Sequence, residues 1–319
     1  MSERVKFLKT LRREVVPGRV PTFELEFYLT MEALGRVHPS HRRFGQWNQM
    51  SPRERNLHLQ DQAEVLVAFA RKYNHSAIHV NCNPGGPENL IRVLSHIREI
   101  SGDSFALLVY CDPTFSMPSG ENMTEFSLRM YEDGEALKNE AQLRVLFDIN
   151  RMEQIAAVPN LCDGVVMCSD YCFNTNPFFN RDMYAEYIAP YLKQAVDACR
   201  DMGLATIKHT DGNINPIIDM LVESGADALH SIDPQGGVDL AQVSRDWGDK
   251  IAICGNVNCA LLQTGSQEEC EADIRRSLRD GMTRGAGYVF CTSNCAYTGL
   301  PLERYELMNQ IWLNEGIYQ

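Results

Sequence analysis

Several absences narrow this chain before any motif does. No apolar run approaches the ~20 residues of a membrane span, and Met1 to Arg13 is a charged amphipathic stretch without a signal-peptide core, so a cytoplasmic protein with no membrane partner is expected. Positive charge is in deficit: 30 Lys and Arg stand against 42 Asp and Glu, for a formal net charge of -12, which disfavours an electrostatic grip on nucleic acid or an anionic surface. No Gly-rich dinucleotide or phosphate fingerprint follows an apolar run. The 11 cysteines include no Cys-x2-Cys pair of the structural zinc type, and an odd number cannot all pair within one monomer. Burial, thiol chemistry or metal binding are the roles left to them.

What is present is a rhythm. Val5 to Val15 reads as a helix within an N-terminal extension, residues 1–18, and Thr22 to Tyr28 alternates as a first strand with Glu24 and Glu26 on one face. Further apolar runs follow at Ala77–Asn81, Phe105–Cys111, Asp163–Ser169, Ala205–Asn213, Ala228–Asp233, Ile251–Gly255 and Tyr288–Thr292, each trailed by a helical pattern. The helix after Ser51 opens with a capping box to Glu54. Eight strands alternating with helices over 319 residues predict one (β/α)8 TIM-type barrel spanning residues 1–319, with an open doubly wound sheet as the alternative.

Such barrels place their chemistry at the C-terminal ends of the strands. Here those ends carry Glu24 and Glu26; His79, Asn81 and Cys82; Cys111 and Asp112; Asp170 and Tyr171; His209 and Asp211; Ser231 and Asp233; Asn256 and Asn258; Cys291, Asn294 and Cys295. Enrichment in His, Cys and carboxylates is the composition of a borderline metal site, and zinc fits it best. In the fifth run His209 and Asp211 are two apart and therefore share a face. Asp170, His209 and Asp211 are the expected catalytic groups. Glu24, Asn81, Tyr171 and Asn256 are expected to meet substrate, and Tyr171, Phe173, Phe178 and Phe179 to form either an aromatic lid or core. The cluster Arg36, His38, His41, Arg42 and Arg43 could hold an anion or be a solvated loop.

The C-terminal part, from His209-Thr-Asp-Gly212 through Leu221–Asp227, Gly255-Asn-Val-Asn258, Gly285-Ala-Gly-Tyr288 and Pro301-Leu-Glu303, resembles the uroporphyrinogen decarboxylase superfamily. The resemblance implies a single barrel and one of two activities. True decarboxylases carry an Arg-Gln-Ala-Gly-Arg-Tyr signature near the first strand, where this chain has Val20-Pro-Thr-Phe-Glu-Leu-Glu-Phe27. Two carboxylates would repel a polycarboxylate substrate. The zinc methyltransferase branch is the closer likeness. It implies metal ligands at His209 and Cys295, with Asp211 where that branch has cysteine, and a corrinoid carried by a partner protein. The expected function is zinc-dependent methyl transfer between a small methylated substrate or a thiol and that corrinoid. A metal-free decarboxylase and a non-catalytic ligand-binding barrel are the alternatives, and a homodimer is compatible with either.

Overall fold

The computed structural model describes residues 1–318. Among the described residues seven short strands, β1 (Ala77–His79), β2 (Ala106–Tyr110), β3 (Gly164–Cys168), β4 (Ala205–His209), β5 (Ala228–His230), β6 (Ala252–Cys254) and β7 (Tyr288–Val289), pair in parallel and in sequence order. Helices fill the connections, as the rhythm requires, and the curled sheet is TIM-like. The helix Pro52–Lys72 begins on the expected Ser51–Glu54 capping box. The helical region beyond Gly120 divides into Met123–Glu132 and Gly134–Ala156.

The expected first strand is corrected. Residues 22–28 form no ladder; they touch β7 and its continuation only through isolated parallel bridges, Thr22 with Phe290 and Phe27 with Ala296. The cause is local competition for backbone groups. Between the bridges the Leu25 carbonyl accepts from His79 Nδ1 at 2.8 Å, and the Glu24 carboxylate takes the Thr292 amide and hydroxyl. Side chains thus occupy bonds that a ladder would use. On its other side the segment is tied to the start of β1, where the Ser76 amide donates to the Thr22 carbonyl at 2.6 Å.

Alternation sorts the strand residues into two layers. Ala77, Ala106, Leu108, Val166, Ile207, Ala228, Ala252, Cys254 and Val289 form the inner cluster, and Ile78, Leu107, Val165, Leu229 and Ile253 pack outward under the helices. The N-terminal helix, Glu3–Leu11, is part of this design: Phe7 and Leu11 are wholly buried in the inner cluster. Arg4 anchors it beside the strand starts, reaching Asp163 at 2.7 Å while its amide donates to Ser104. It plugs the N-terminal end of the lumen, leaving the C-terminal end for function.

One polar pair sits in the outer layer. Lys208, from the outward face of β4, meets Asp112 at 2.7 Å with both side chains fully buried, and also donates to the Met167 and Ser169 carbonyls. Its ammonium lies 4.3 Å from the Tyr171 ring centroid. Asp112→Ala leaves that ammonium unpaired and is expected to cost about 3–5 kcal/mol, whereas the apolar pair Asp112→Leu with Lys208→Met is expected to cost far less. Urea denaturation of the three proteins measures the difference.

Candidate active site

β4 ends on His209 and turns at Thr210-Asp211-Gly212. Gly212 has φ +81, and a Cβ there would lie 2.5 Å from the Cys172 carbonyl oxygen; a Cβ on Gly236 would lie 2.3 Å from the Gly212 carbonyl carbon. Only glycine permits this backbone and these approaches. The contact seats the loop after β3 on the loop after β4, and the Asp211 amide donates to Asp170 Oδ1 at 2.9 Å. Two loops thereby bring two carboxylates to one imidazole.

His209 Nε2 stands 3.7 Å from Asp170 Oδ1 and 3.7 Å from Asp211 Oδ2. One donor atom from each of the three residues falls within 4.8 Å of the others. Asp211 is steadied by Ser231 Oγ at 2.7 Å and by the Asn294 amide. Ser231 and Ile232, with φ of 91 and 49, hold positive-φ backbone that non-glycine residues seldom adopt. Behind His209, its Nδ1 shares a proton with His230 Nδ1 at 2.8 Å.

Burial controls the charge here. It holds the His209 imidazole down to about 4, so the ring is neutral and able to ligate. Burial and the neighbouring Asp170 push the Asp211 carboxyl up to about 7. His230 is driven well below its usual range, mainly by burial and then by its neighbours His209 and His79. Carboxylates this close are electrostatically unfavourable without a cation between them.

Across the sheet order, β1 contributes a second group. His79 lies 3.2 Å from Glu26 Oε1, and the Asn81 amide donates to the same carboxylate oxygen. His38 Nε2 is 4.0 Å from Glu26 Oε2, and Tyr28 stacks on His41 at 4.6 Å. Arg36 and Arg42 of the basic cluster pair with Asp61 beside an open groove of about 750 Å³.

A family model for uroporphyrinogen decarboxylase (URO-D) matches residues 119–311, well over half of the chain. The chain belongs to this family. A curated relative, the methylcobamide:CoM methyltransferase MtbA of Methanosarcina mazei, is 31% identical over 115 residues, covering 35% of this chain and 33% of that protein. The chain thus matches about a third of that relative's length. A Listeria monocytogenes protein described as a vitamin-B12 independent methionine synthase superposes with a TM-score of 0.51 at 11% identity, over 95% of this chain and 98% of the other. That likeness shows the fold alone.

The site residues expected from sequence divide in two. Asp170, His209 and Asp211 converge, and Asn81 lies at the mouth against Glu26. Cys295 is half-buried and lies outside the three-residue donor set; burial raises its thiol. Tyr171 is fully buried with its hydroxyl on Thr114, and Asn256 is fully buried with its amide on the Ile232 carbonyl and its oxygen on Arg276. Both belong to the wall, their polar atoms held by protein partners. Phe179 is likewise core, while Phe173 remains partly exposed. Glu24 parts company with Glu26: it is buried against Thr292, and burial pushes its carboxyl up to about 8. His230 and Lys208 were not singled out in the sequence. The signal for His230 is its alternation with Ala228, the same inward pattern that marks His209.

Two outcomes follow. Gly212→Ala forces a Cβ onto the Cys172 carbonyl and should cost a few kcal/mol in urea unfolding, on the order of 1–3 for the backbone strain alone. Glu24 binds its proton more tightly folded than unfolded, so its contribution to stability is complete below pH 4.5 and is lost as pH rises through about 8. Glu24→Gln should flatten the fall in unfolding midpoint across that window.

Proposed function

We propose that the protein is a methyltransferase of the URO-D family that moves a methyl group between a small methylated substrate or thiol and a corrinoid partner, with a divalent cation, zinc, held by Asp170, His209 and Asp211. The observation that carries this reading is the convergence of those three donors at the C-terminal end of β4. Donors about 2.0–2.2 Å from a common tetrahedral ion lie about 3.4 Å apart, close to the 3.7 Å spacings between His209 and each carboxylate. The family and the name of the methanogen relative support the methyl-transfer class.

When bound, the cation acts as a Lewis acid on the heteroatom that gains or loses the methyl group. The chain's own residues do the rest. With His209 Nδ1–H donating to His230 Nδ1, the lone pair of His209 Nε2 is free to ligate. Ser231 and Asn294 orient Asp211, and the Asp211 amide orients Asp170. Two carboxylates and one imidazole make a harder donor set than the cysteine-rich one the resemblance implies, which favours polarising an ether, amine or thioether over storing an electron-rich thiolate. The side chains at the mouth, Glu26, Asp170 and Asp211, are acidic, and Lys208 is turned away into the wall, so a neutral or cationic substrate suits it better than a polyanion.

A metal-free carboxy-lyase is the second reading, favoured by the Asp211 carboxyl, which can hold a proton near neutral pH. One experiment separates them. Protein purified without chelator is expected to carry one zinc per chain by elemental analysis, and Asp170→Asn, His209→Ala and Asp211→Asn each to lower zinc affinity at least about 10-fold, with Cys295→Ala near wild type. Wild type without zinc, and turning over a carboxylate substrate regardless, would establish the lyase instead.

A further inference from the structure

The buried imidazole of His79 has no part in holding the cation. His79 is on the inward face of β1, since Ala77 two residues before it belongs to the inner cluster and Ile78 to the outer one. Its Nδ1 is 2.8 Å from the Leu25 carbonyl and 3.2 Å from Glu26 Oε1. A carbonyl accepts and cannot donate, so Nδ1 carries the proton and the neutral ring presents its lone pair at Nε2. Among the described residues its Nε2, like that of His230, is buried without a hydrogen-bond partner. Buried polar atoms are otherwise almost always satisfied. The arrangement is a carboxylate, an oriented imidazole on the inward face of β1 and an unpartnered nitrogen, three strands along the sheet from β4.

We infer that His79, oriented by Glu26, is the group that exchanges a proton with the substrate heteroatom bound at the Asp170–His209–Asp211 centre. This rests on the cation reading of that centre. For a thiol the step is written fully: the S–H bond breaks, its electron pair stays on sulfur, and the proton bonds to the Nε2 lone pair of His79. In the opposite direction Nε2–H returns the proton to the heteroatom that has lost its methyl group. Nothing is oxidised or reduced in either step.

The surroundings suit a proton carrier. Burial works against a charged His79, but the hydrogen bond and charge of Glu26 and the Leu25 carbonyl outweigh it, leaving the imidazole above its ordinary value. Other groups facing this pair are His38 beside Glu26, Tyr28 from the same segment, and His230 from β5. His38 is neutral, held down to about 4 mainly by burial, so Glu26 is the anion that balances an imidazolium at His79. The Asn81 amide keeps that anion in place.

The test is calorimetric and needs no knowledge of the natural substrate. Zinc-loaded protein is titrated with 2-mercaptoethanol at about pH 7.5 in buffers of different ionisation enthalpy, which counts protons released per thiol bound. Wild type is expected to release fewer protons than His79→Gln, by up to one per thiol, with Glu26→Gln between them. Equal proton release in wild type and both variants overturns the inference while leaving the cation reading standing. Absence of thiol binding by zinc-loaded wild type overturns the inference alone, whereas failure of wild type to load zinc overturns the cation reading. Should His79→Gln fail to load zinc, imidazole nitrogen NMR of labelled wild type decides: the Nε2 of His79 must gain a proton when thiol is added, and an unchanged tautomer refutes the role.

Discussion

The buried ion pair between Lys208 and Asp112 is the contact on which the functional end of this molecule depends. In a strand, neighbouring side chains face opposite layers, so a slip of one residue would exchange Lys208 and His209 between wall and lumen. The ammonium has its carboxylate, two carbonyls and an aromatic face only in the observed register. An unpaired buried lysine is costly enough to exclude the slipped pairing. The pair therefore secures position more than net stability, and His209 points into the lumen because Lys208 is held outside it.

From that fixed point the site is assembled by close backbone packing. Gly212 and Gly236 let three loops approach without side chains between them, and the price of bringing Asp170 to Asp211 is carboxylate repulsion in a partly buried place. The same arrangement gathers two acidic side chains beside one imidazole. His209 and His230, both held neutral by burial, add donors without adding a competing cation.

How much of this was legible depends on the kind of signal. The helix from Ser51 and the break near Gly134 follow from local chemistry, and the structure has them; the run expected as a strand through Asn213 ends at His209, and Asp211 comes beside it from the turn that follows. The segment with Glu24 and Glu26 alternates like a strand, yet it departs from a ladder because His79 and Glu24 compete for the bonds. Alternation also groups the two glutamates, while the structure gives them opposite neighbours: Glu24 is buried beside Thr292 and Glu26 stands at the mouth with His79. Tyr171 and Asn256 sit at strand ends, as functional residues do, but close packing turned them into wall.

The sequence by itself determined the alternating architecture, the family and the candidacy of Asp170, His209 and Asp211, because periodicity, glycine placement and residue type are local properties of the chain. Tertiary structure alone decided that Cys295 stays outside the donor set, that the N-terminal helix plugs the lumen, and that His79 and His230 face it. Those outcomes turn on distances between residues far apart in the chain, such as the 2.8 Å between His209 and His230 or between His79 and Leu25. Spacing along a sequence carries no measure of them.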